Sequence, residues 1–546
     1  MNVILIKALQ LLLCLSLLVV LHEGGHFGFA KLFKTRVLRF YMFANWGFHL
    51  FSTYDNWFRR LLGKPLVTRR GTEGQNFPQW LRNQWYRLTG RKDKIVTENI
   101  GNKEYDPQAG TEYGIGWLPI GGYVAIDGMI DETNQRLEGE AKPWEFRAKP
   151  VWQRFLIMFG GVLMNLVTAF VIYCGIMYFV GEDRLPMQHI RQGFAYNQEA
   201  EALGFRDGDI PVRIDGHDIE GWSGALLQDI SNAAEVTVLR QGKELTLAMP
   251  EDGLNLLSML RNVPPFMVMA TPTLIDSVAP GTPAARAGIA PGSRILAVDG
   301  TPVRYWSDYD SLFVRRQDVL SAPDCTRADS LRLRRLTLVL MRPVDSLTVA
   351  TANPELDAAT SATAQANLDA TTQATALSAT AHPAFRTDTV TLELGPDYLM
   401  GVIRHSNLAD YEVEHVTYTL LSSIPAGFKY GWRTLVNYID SMKYVASKDG
   451  AQEVGSFIAI GDMFPSSWDW LRFWNLTALI SIVLAVMNIL PIPGLDGGHI
   501  VILLYEAVTG RQPSERVLVW LQYIGMAILL ALMLLAFGND IRRFIL

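Results

Sequence analysis

The sequence contains few charged residues and few cysteines. Charged residues make up 19% of its 546 positions, whereas hydrophobic residues make up 49%. This composition excludes an intrinsically disordered chain, because such chains are rich in charge and poor in large apolar side chains. Three cysteines cannot build a disulfide framework. The formal net charge of −5 argues against nucleic-acid binding, so we expect no nucleic-acid partner.

Four long apolar segments predict membrane-spanning helices. They cover residues 8–21, 155–180, 473–490 and 517–538. The last three reach the roughly 20 apolar residues that a spanning helix needs. The first is shorter, and a cleaved signal peptide is the alternative for it. Because it has one lysine before it and no small-residue cleavage site after it, we interpret it as a retained helix.

Basic residues predict the orientation of these helices. Lysine and arginine are frequent between residues 31 and 154, and loops rich in them stay on the cytoplasmic side of a membrane. Both termini and the long segment 181–472 are then expected on the outer side. Arg542 and Arg543 oppose this assignment mildly, because it places them on the disfavoured side.

The outer segment contains an internal repeat. Gly204, Gly208, Asp215 and Gly216 recur 84 positions later, within otherwise similar stretches. Each copy predicts a short helix that ends at a glycine, then a turn, then an apolar strand closed by Asp-Gly. A repeat of this size indicates two copies of one small α+β domain. The pattern resembles the PDZ domains of bacterial proteases.

Two other stretches of the outer segment differ in composition. Residues 348–381 are dominated by alanine and threonine and predict a flexible insertion in or beside the second copy. Residues 411–445 mix apolar and charged side chains and predict one or two amphipathic helices. These helices lie either on the membrane surface or, as ordinary solvated helices, on the PDZ-like domains.

The motif His22-Glu23-Gly24-Gly25-His26 ends the first apolar segment. On a helix, histidines four residues apart share one face and can bind one metal ion, while the glutamate reaches a water beside it. Imidazole ligands with an open position favour zinc, although cobalt or iron fits the same ligands. The alternative is a set of plain interfacial residues, but ionisable groups at the end of an apolar helix are functional by default.

A third ligand has to come from another part of the chain, because Leu32 stands where an extended motif has a third histidine. Asp496 is the best candidate. It ends a stretch whose prolines break an apolar helix at membrane depth, where a carboxylate is costly unless it is paired. His499 is either a supporting partner or an ordinary interfacial histidine, and His49 is a weaker alternative ligand.

Together these motifs resemble the site-2 protease family of intramembrane zinc metalloproteases. The resemblance rests on H-E-x-x-H in the first apolar segment, on N-x-x-P-x-P-x-L-D-G at residues 488–497, and on PDZ-like repeats between the second and third segments. The stretch LPIGGYV at residues 118–124 resembles the family's membrane-re-entrant β-loop. The resemblance covers both ends of the chain and is loose over residues 48–108, 348–381 and 411–470.

The resemblance implies roles for single residues. His22, His26 and Asp496 would bind Zn2+, and Glu23 would act as the general base. The implied substrate-binding residues are Asn488, Pro491, Pro493, Gly121 and Gly122. Asn488 would contact the substrate backbone and help hold the oxyanion, and the prolines would shape the groove. The two glycines belong to a β-loop that could pair with an unwound substrate as an added strand.

The implied architecture is a polytopic α-helical membrane protein with four transmembrane helices, a membrane-associated β-loop and two periplasmic PDZ-like α+β domains. The expected divisions are 1–45 (first transmembrane helix with H-E-x-x-H), 46–110 (cytoplasmic insertion), 111–150 (re-entrant β-loop and approach helix), 151–181 (second transmembrane helix), 182–262 and 263–405 (PDZ-like domains, the second with the 348–381 insertion), 406–468 (amphipathic membrane-surface helices), 469–500 (third transmembrane helix with the LDG motif) and 501–546 (fourth transmembrane helix and tail).

The implied function is regulated intramembrane proteolysis in the bacterial inner membrane, with the active site near the cytoplasmic side. Expected substrates are single-span membrane proteins such as anti-sigma factors, first trimmed by a site-1 protease, and also remnant signal peptides. The PDZ-like domains would filter substrates by size or bind the new C-terminus. We expect a monomer. The alternatives are an inactive relative acting as a binding or chaperone module, and a transporter, which would need more spans.

The cytoplasmic insertion departs from the family pattern. It carries many tryptophan, arginine and lysine residues, among them Trp57, Arg59, Trp80, Arg82 and Trp85. Such a mixture fits contact with membrane lipid, specifically anionic headgroups. A small soluble subdomain explains it equally well.

Overall fold

The computed structural model describes residues 3–70, 76–88, 98–99, 103–104, 110–118, 121–129, 140–223, 226–320, 326–343, 385–395, 399–406, 411–445 and 455–544. The chain forms two compact units. The first combines Met1–Glu182 with Val416–Leu546, and the second is Asp183–His415. The predicted flexible insertion 348–381 lies outside the described residues.

The first unit contains the helices that match the predicted spans. Within the described ranges, four helices are long and apolar enough to cross a membrane, as predicted: Val3–Leu32, Val151–Phe179, Trp470–Ile489 and Arg516–Arg542. The first, α1 (Val3–Leu32), is longer than its predicted core of 8–21. It continues through the H-E-x-x-H motif, so the motif belongs to a spanning helix.

A four-stranded sheet follows α1 and contains the predicted β-loop. Its strands are β1 (Val37–Tyr41), β2 (Ala44–Ser52), β6 (Glu112–Leu118) and β7 (Tyr123–Ile126), and their order is β2-β6-β1-β7. Strand β6 is parallel to β1, whereas β2 and β7 are antiparallel to their neighbours. The insertion between β2 and β6 forms α2 (Asn56–Leu61), β3 (Val67–Arg70), α3 (Phe77–Leu88), β4 (Glu98–Asn99) and β5 (Lys103–Glu104). Helix α4 (Val151–Phe179) begins after Pro150.

The second unit contains the two predicted repeats. After β8 (Glu182–Arg184), the elements of the first repeat are β9 (Phe194–Tyr196), α5 (Gln198–Ala202), β10 (Ile210–Ile214), β11 (His217–Asp218), α6 (Leu226–Asn232), β12 (Glu235–Arg240), β13 (Lys243–Ala248), α7 (Leu256–Arg261) and β14 (Met267–Met269). Those of the second are β15 (Ile275–Val278), α8 (Pro283–Arg286), β16 (Arg294–Val298), β17 (Thr301–Pro302), α9 (Trp306–Leu320), α10 (Arg327–Arg334), β18 (Arg335–Pro343), β19 (Phe385–Glu393) and β20 (Val402–Arg404).

The two repeats have matching sheets and matching turns. Their strand orders are β11-β10-β12-β13 and β17-β16-β18-β19. Asp215 and Asp299 both have positive φ, of 47° and 48°, directly before a glycine. Each of these aspartates accepts a hydrogen bond at Oδ1 from the backbone of the next strand, at Glu235 and Thr337. The repeated sequence therefore encodes one turn used twice.

The predicted boundary between residues 262 and 263 is wrong. Strand β14 pairs with β9 of the first repeat, with Met267 opposite Tyr196. Phe266 and Met267 are buried in the core of that repeat. The first repeat therefore extends to about Ala270, because β9 is an early strand that needs a distant partner, which a local pattern does not show.

The chain returns to the first unit through β21 (Glu414–Val416), and a long amphipathic helix follows. The segment 411–445, predicted to form one or two amphipathic helices, forms one helix, α11 (Leu420–Val445). Its placement on a membrane surface stays a prediction. Gly427 packs on the Cys174 backbone, and Gly431 packs on Phe170, one turn earlier in α4. Helix α11 thus runs antiparallel along a spanning helix, because its glycines permit close helix packing.

The remaining helices complete the first unit. They are α12 (Phe457–Asp462), α13 (Trp470–Ile489), α14 (Asp496–Thr509) and α15 (Glu515–Phe544). Helix α13 ends just before the Pro- and Gly-rich stretch, and α14 begins at Asp496. This break in the helix is what presents a carboxylate at the start of a new helix.

Candidate metal centre

Helix α1 brings the two histidines of the motif together. His22 and His26 lie one helical turn apart, and their Nε2 atoms are 3.3 Å from each other. Their rings meet edge to face, with centroids 4.9 Å apart. Both side chains are largely buried. The spacing of four residues therefore directs two imidazole nitrogens to one point, as expected for helical residues.

The turn before α14 adds the predicted carboxylate. Asp496 Oδ2 lies 3.2 Å from His22 Nε2 and 3.3 Å from His26 Nε2. Glycine is required next to it, because a Cβ at Gly497 would lie 2.1 Å from the Leu490 carbonyl oxygen. Gly494 has a φ of +95°, which side chains rarely adopt. These glycines fold the chain back sharply enough for Asp496 to reach α1.

The three ligand atoms fit a zinc ion. Ligands about 2.1 Å from a tetrahedral zinc ion lie about 3.4 Å from one another. The separations of 3.2, 3.3 and 3.3 Å among His22, His26 and Asp496 match this triangle. Asp496 Oδ2 is buried and accepts no hydrogen bond. A buried carboxylate oxygen facing two imidazole nitrogens is the donor set of a catalytic zinc site with an open fourth position.

Helix α4 orients both imidazoles from behind. His26 Nδ1 lies 2.8 Å from the Ile157 carbonyl oxygen, so Nδ1 carries the proton and Nε2 is left for a metal. The Asn165 amide lies 3.1 Å from His22 Nδ1, and Asn165 Oδ1 is buried without a hydrogen bond. Rotating this amide by 180° brings Oδ1 to Nδ1–H, which frees His22 Nε2 in the same way.

Three glycines set the distance between α1 and α4. A Cβ at Gly25 would lie 2.1 Å from the Gly160 carbonyl oxygen. A Cβ at Gly161 would lie 2.4 Å from His26 Nε2 and 2.7 Å from His22 Nε2. The two helix backbones are therefore in contact at the metal centre, and Gly161 keeps open the space next to both ligand atoms.

The β-loop lies beside the predicted base. A Cβ at Gly122 would lie 2.8 Å from the Val19 side chain and 3.5 Å from Glu23 Cγ. The backbone N–H of Val124 interacts with the Glu23 carboxylate. Strand β7 is an edge of the sheet, with β1 as its neighbour on one side. The edge that follows Gly122 thus runs past Glu23.

The other predicted site residues lie at different distances from the ligands. Asn488 Nδ2 lies 3.5 Å from His22 Nε2, so Asn488 faces the metal centre. Pro491 is exposed in the turn between α13 and α14, and the Pro493 backbone packs against Gly525 of α15. Gly121, with a φ of +73°, forms the turn before Gly122 and is exposed. None of these last three has a described contact with His22, His26 or Asp496.

The two further histidines are not ligands in this arrangement. His49 is fully buried in the sheet and pairs with Asp55 at 2.8 Å. His499 lines a separate cleft formed by α4, α14 and α15. Among the described residues, only His22, His26 and Asp496 form a group of three that could hold a metal ion.

Sequence reasoning missed Asn165, Gly161 and Val124 as parts of this site. The GG-x-x-x-N spacing of Gly160, Gly161 and Asn165 was a signal that helix α4 approaches another helix closely. The role of Val124 had no such signal, because a backbone N–H carries no sequence mark.

Comparison with known proteins identifies the family of the chain. Residues 98–532 match the sequence profile of Peptidase family M50. The chain belongs to peptidase family M50. The matched range includes Asp496 and begins after the H-E-x-x-H motif.

Other known proteins match most or nearly all of the chain. A "Putative zinc metalloprotease" of Xylella fastidiosa strain Temecula1 is 24% identical over an alignment of 557 positions that covers 96% of each chain. A protein of the same description from Neisseria meningitidis serogroup A is 24% identical over 98% of each chain. The regulator of sigma-E protease RseP of Escherichia coli K12 is 25% identical over 80% of this chain and 88% of its own length. The predicted family resemblance is thereby confirmed.

Proposed function

We propose that this protein is an intramembrane zinc metalloendopeptidase that performs site-2 cleavage in a bacterial inner membrane. The observation that carries the proposal is the triangle formed by His22, His26 and Asp496, with Glu23 next to it on a spanning helix. Its membership of family M50 and its likeness to proteins named as zinc metalloproteases support the same chemistry.

The protein's own residues would divide the reaction between them. His22, His26 and Asp496 would hold Zn2+, which supplies a Lewis acid and lowers the pKa of water. Glu23 takes a proton from the attacking water at its carboxylate and later donates it to the leaving amine. Asn488, which faces the ligands, holds the substrate backbone and donates to the developing oxyanion through Nδ2.

The substrate would bind as an added strand. A transmembrane helix hides its amides in internal hydrogen bonds and must unwind locally before attack. The edge of β7 next to Gly121 and Gly122 would replace the lost hydrogen bonds by strand addition. Because this edge lies beside Glu23, it aligns the scissile bond with the base. Pro491 and Pro493 would form the opposite wall of the groove.

The biological substrates would be single-span membrane proteins, such as anti-sigma factors, that a site-1 protease has already trimmed. Remnant signal peptides form a second class with the same chemistry. The two repeats of the second unit would act as periplasmic PDZ-like domains. They would either exclude substrates with large outer domains or bind the new C-terminus of a trimmed substrate. Both termini would lie in the periplasm, with the active site of the monomer near the cytoplasmic side.

A single comparison tests the proposal. Full-length wild type and Glu23→Gln are purified in detergent, and bound zinc and cleavage of a truncated single-span substrate are measured. Both should bind zinc in equimolar amount, and cleavage by Glu23→Gln should fall by about 10²–10⁴-fold, the usual contribution of a general base. Glu251→Gln, on the surface of the second unit, is the matched control and should cleave like wild type.

The other outcomes decide against the proposal. If both proteins bind zinc and neither cleaves any single-span substrate, the chain is the alternative, an inactive binding or chaperone module. If the wild type binds no zinc when zinc is supplied, the assignment of the metal centre is wrong.

A further inference from the structure

Helix α3 of the insertion has its polar and apolar faces inverted. Gln79 and Asn83 are buried, with 5% and 2% of their surface exposed. Phe77, Leu81 and Trp85, spaced four residues apart, are 42%, 55% and 62% exposed. A helix on the surface of a water-soluble subdomain has the opposite arrangement. The outer face of α3 is therefore built for apolar surroundings.

Helix α2 presents a second apolar surface of the same kind. Trp57, Leu61 and Leu62 are 55%, 74% and 51% exposed. These exposed fractions are in the same range as those of apolar residues on α15, a helix apolar enough to span a membrane, where Trp520 is 69% and Leu534 is 64% exposed. We call the outer faces of α2 and α3 the insertion surface. Its members are Trp57, Leu61, Leu62, Phe77, Leu81 and Trp85.

The sheet register places α2 level with the end of α1. Tyr113 of β6 contacts the Phe27 ring, and Thr111, just before β6, accepts a hydrogen bond from Lys31 at 2.8 Å. Strand β2 ends at Ser52, opposite Gly114. Helix α2 begins four residues later, so it lies level with the C-terminal end of α1.

Helix α3 is held against the same sheet by aromatic contacts. Phe48 of β2 contacts the rings of Phe77, Trp80 and Trp117, at centroid distances of 5.4, 4.7 and 5.3 Å. The insertion surface therefore has a fixed place on the sheet, and the sheet has a fixed place beside the spanning helix.

Within the described residues 56–70 and 76–88, the exposed charged side chains are basic. Arg60, Lys64 and Arg82 are exposed on or next to the two helices. The described residues from 56 to 70 and from 76 to 88 include no aspartate or glutamate. Exposed tryptophans between basic residues are typical of the membrane–water interface, and the cytoplasmic leaflet there is anionic.

We propose that the insertion surface lies in the headgroup region of an anionic leaflet and binds phospholipid of negative charge. Trp57, Leu61, Leu81 and Trp85 insert at the boundary with the acyl chains, and Arg60, Lys64 and Arg82 contact the phosphates. This contact fixes the sheet, and with it the edge strand β7, relative to the bilayer. It concerns lipid binding alone and holds whether or not the protein cleaves a substrate.

The test measures where the surface lies in vesicles. The three native cysteines are replaced, single cysteines are introduced at Leu61 or Leu81, and each is labelled with an environment-sensitive fluorophore in the full chain. The vesicles contain phosphatidylcholine with or without phosphatidylglycerol. Quenching by spin-labelled lipid and by aqueous iodide is compared with that of labels at Leu534, on a spanning helix, and at Lys243, on the second unit. The midpoint of thermal unfolding, compared with that of the unlabelled wild type, checks that each variant is folded.

The proposal expects labels at Leu61 and Leu81 to be quenched by the spin-labelled lipid, as at Leu534, and protected from iodide. Iodide quenching equal to that at Lys243 would show a solvated subdomain and overturn it. Protection from both quenchers would show that protein covers the surface, for example a second copy of the chain, and would overturn it as well.

The choice of lipid is tested by removing charge. In wild type, we expect quenching of the Leu61 and Leu81 labels by spin-labelled lipid to be stronger in vesicles with phosphatidylglycerol than in vesicles without it. The double variant Arg60→Gln with Lys64→Gln should lose most of this difference. The matched pair Arg191→Gln with Lys243→Gln, exposed on the second unit, removes the same charge and should lose none. Equal quenching in the two double variants would overturn the assignment of anionic lipid.

Discussion

Two regions of the first unit bury histidine and carboxylate side chains, and they differ in how the carboxylates are paired. At the metal centre, Asp496 Oδ2 accepts no hydrogen bond, although two imidazole nitrogens lie 3.2 and 3.3 Å away. In the sheet, His49 Nε2 lies 2.8 Å from Asp55 Oδ1. The residue types are the same in both regions. Only at the metal centre does an unpaired carboxylate oxygen face the same point as two imidazole nitrogens.

The sheet satisfies its carboxylates with donors from its own strands. Asp55 Oδ2 accepts a hydrogen bond from the Ser52 backbone N–H. Glu112 Oε1 accepts hydrogen bonds from the Tyr41 and Ser52 hydroxyls. Paired groups of this kind stabilise a fold and carry no implication of chemistry. Both regions bury ionisable groups, so burial does not distinguish the metal centre. What distinguishes it is that unpaired ligand atoms converge there.

The largest difference between the regions should come from removing one carboxylate charge in each. Asp496→Asn should abolish zinc retention and cleavage, because an amide is a weak zinc ligand. Asp55→Asn should retain both and lower the free energy of unfolding by about 1–3 kcal/mol, as expected when a buried hydrogen bond is lost. Bound zinc and thermal unfolding in detergent measure the two effects. Zinc loss in Asp55→Asn would contradict the distinction.

Adding a methyl group to α4 should disrupt the metal centre although no ligand residue is replaced. Gly161→Ala places a Cβ 2.4 Å from His26 Nε2, so the imidazoles must move and zinc retention should be lost. Gly175→Ala, on the same helix, is the matched control, because its Cβ would meet nothing within 4 Å. The measurement is zinc content after dialysis against a weak chelator. Normal zinc content in Gly161→Ala would mean that the ligand geometry is different.

Replacing Asn165, which contacts His22 Nδ1, should have a smaller effect on zinc affinity. Asn165→Leu removes the acceptor for His22 Nδ1–H and should weaken zinc binding by about 10–100-fold. Asn165→Asp retains an acceptor and should restore most of the affinity. Chelator competition measures the dissociation constant of zinc for each variant. Equal affinities in the leucine and aspartate variants would exclude this positioning role.

The smallest effect should come from the paired network of the sheet. Tyr41→Phe removes one of the donors to Glu112 and should lower the free energy of unfolding by about 0.5–1.5 kcal/mol. Zinc affinity should not change, because Tyr41 acts on the sheet and not on the ligands. Thermal unfolding and chelator competition on the same preparation check both statements. A change in zinc affinity would show that the two regions are coupled.

Local patterns predicted the parts of the molecule that depend on neighbours in sequence. The apolar runs gave the four long helices, and the spacing of His22 and His26 gave two ligands on one helical face. The repeated glycines and aspartates predicted two copies of one domain, and the matching strand orders agree. In each case the physical cause acts within one or two turns of the chain.

Other features depended on partners far away in sequence. The boundary of the first repeat was misplaced, because β14 belongs to β9, about 70 residues earlier. Two glycines of helix α11 pack it along α4, a contact that its amphipathic pattern did not predict. The inverted burial of α3 was equally invisible, because composition alone does not say which face of a helix meets the sheet.

The sequence by itself determined the chemistry available to this protein: two histidines and a glutamate on an apolar helix, a carboxylate after a broken helix, and membership of a metalloprotease family. Only the tertiary structure decided that Asp496 meets His22 and His26, and that Gly161 leaves room for them. The physical reason is that ligand convergence depends on the approach of helices about 470 residues apart in the chain, to within tenths of an ångström. No local preference of the chain sets such a distance.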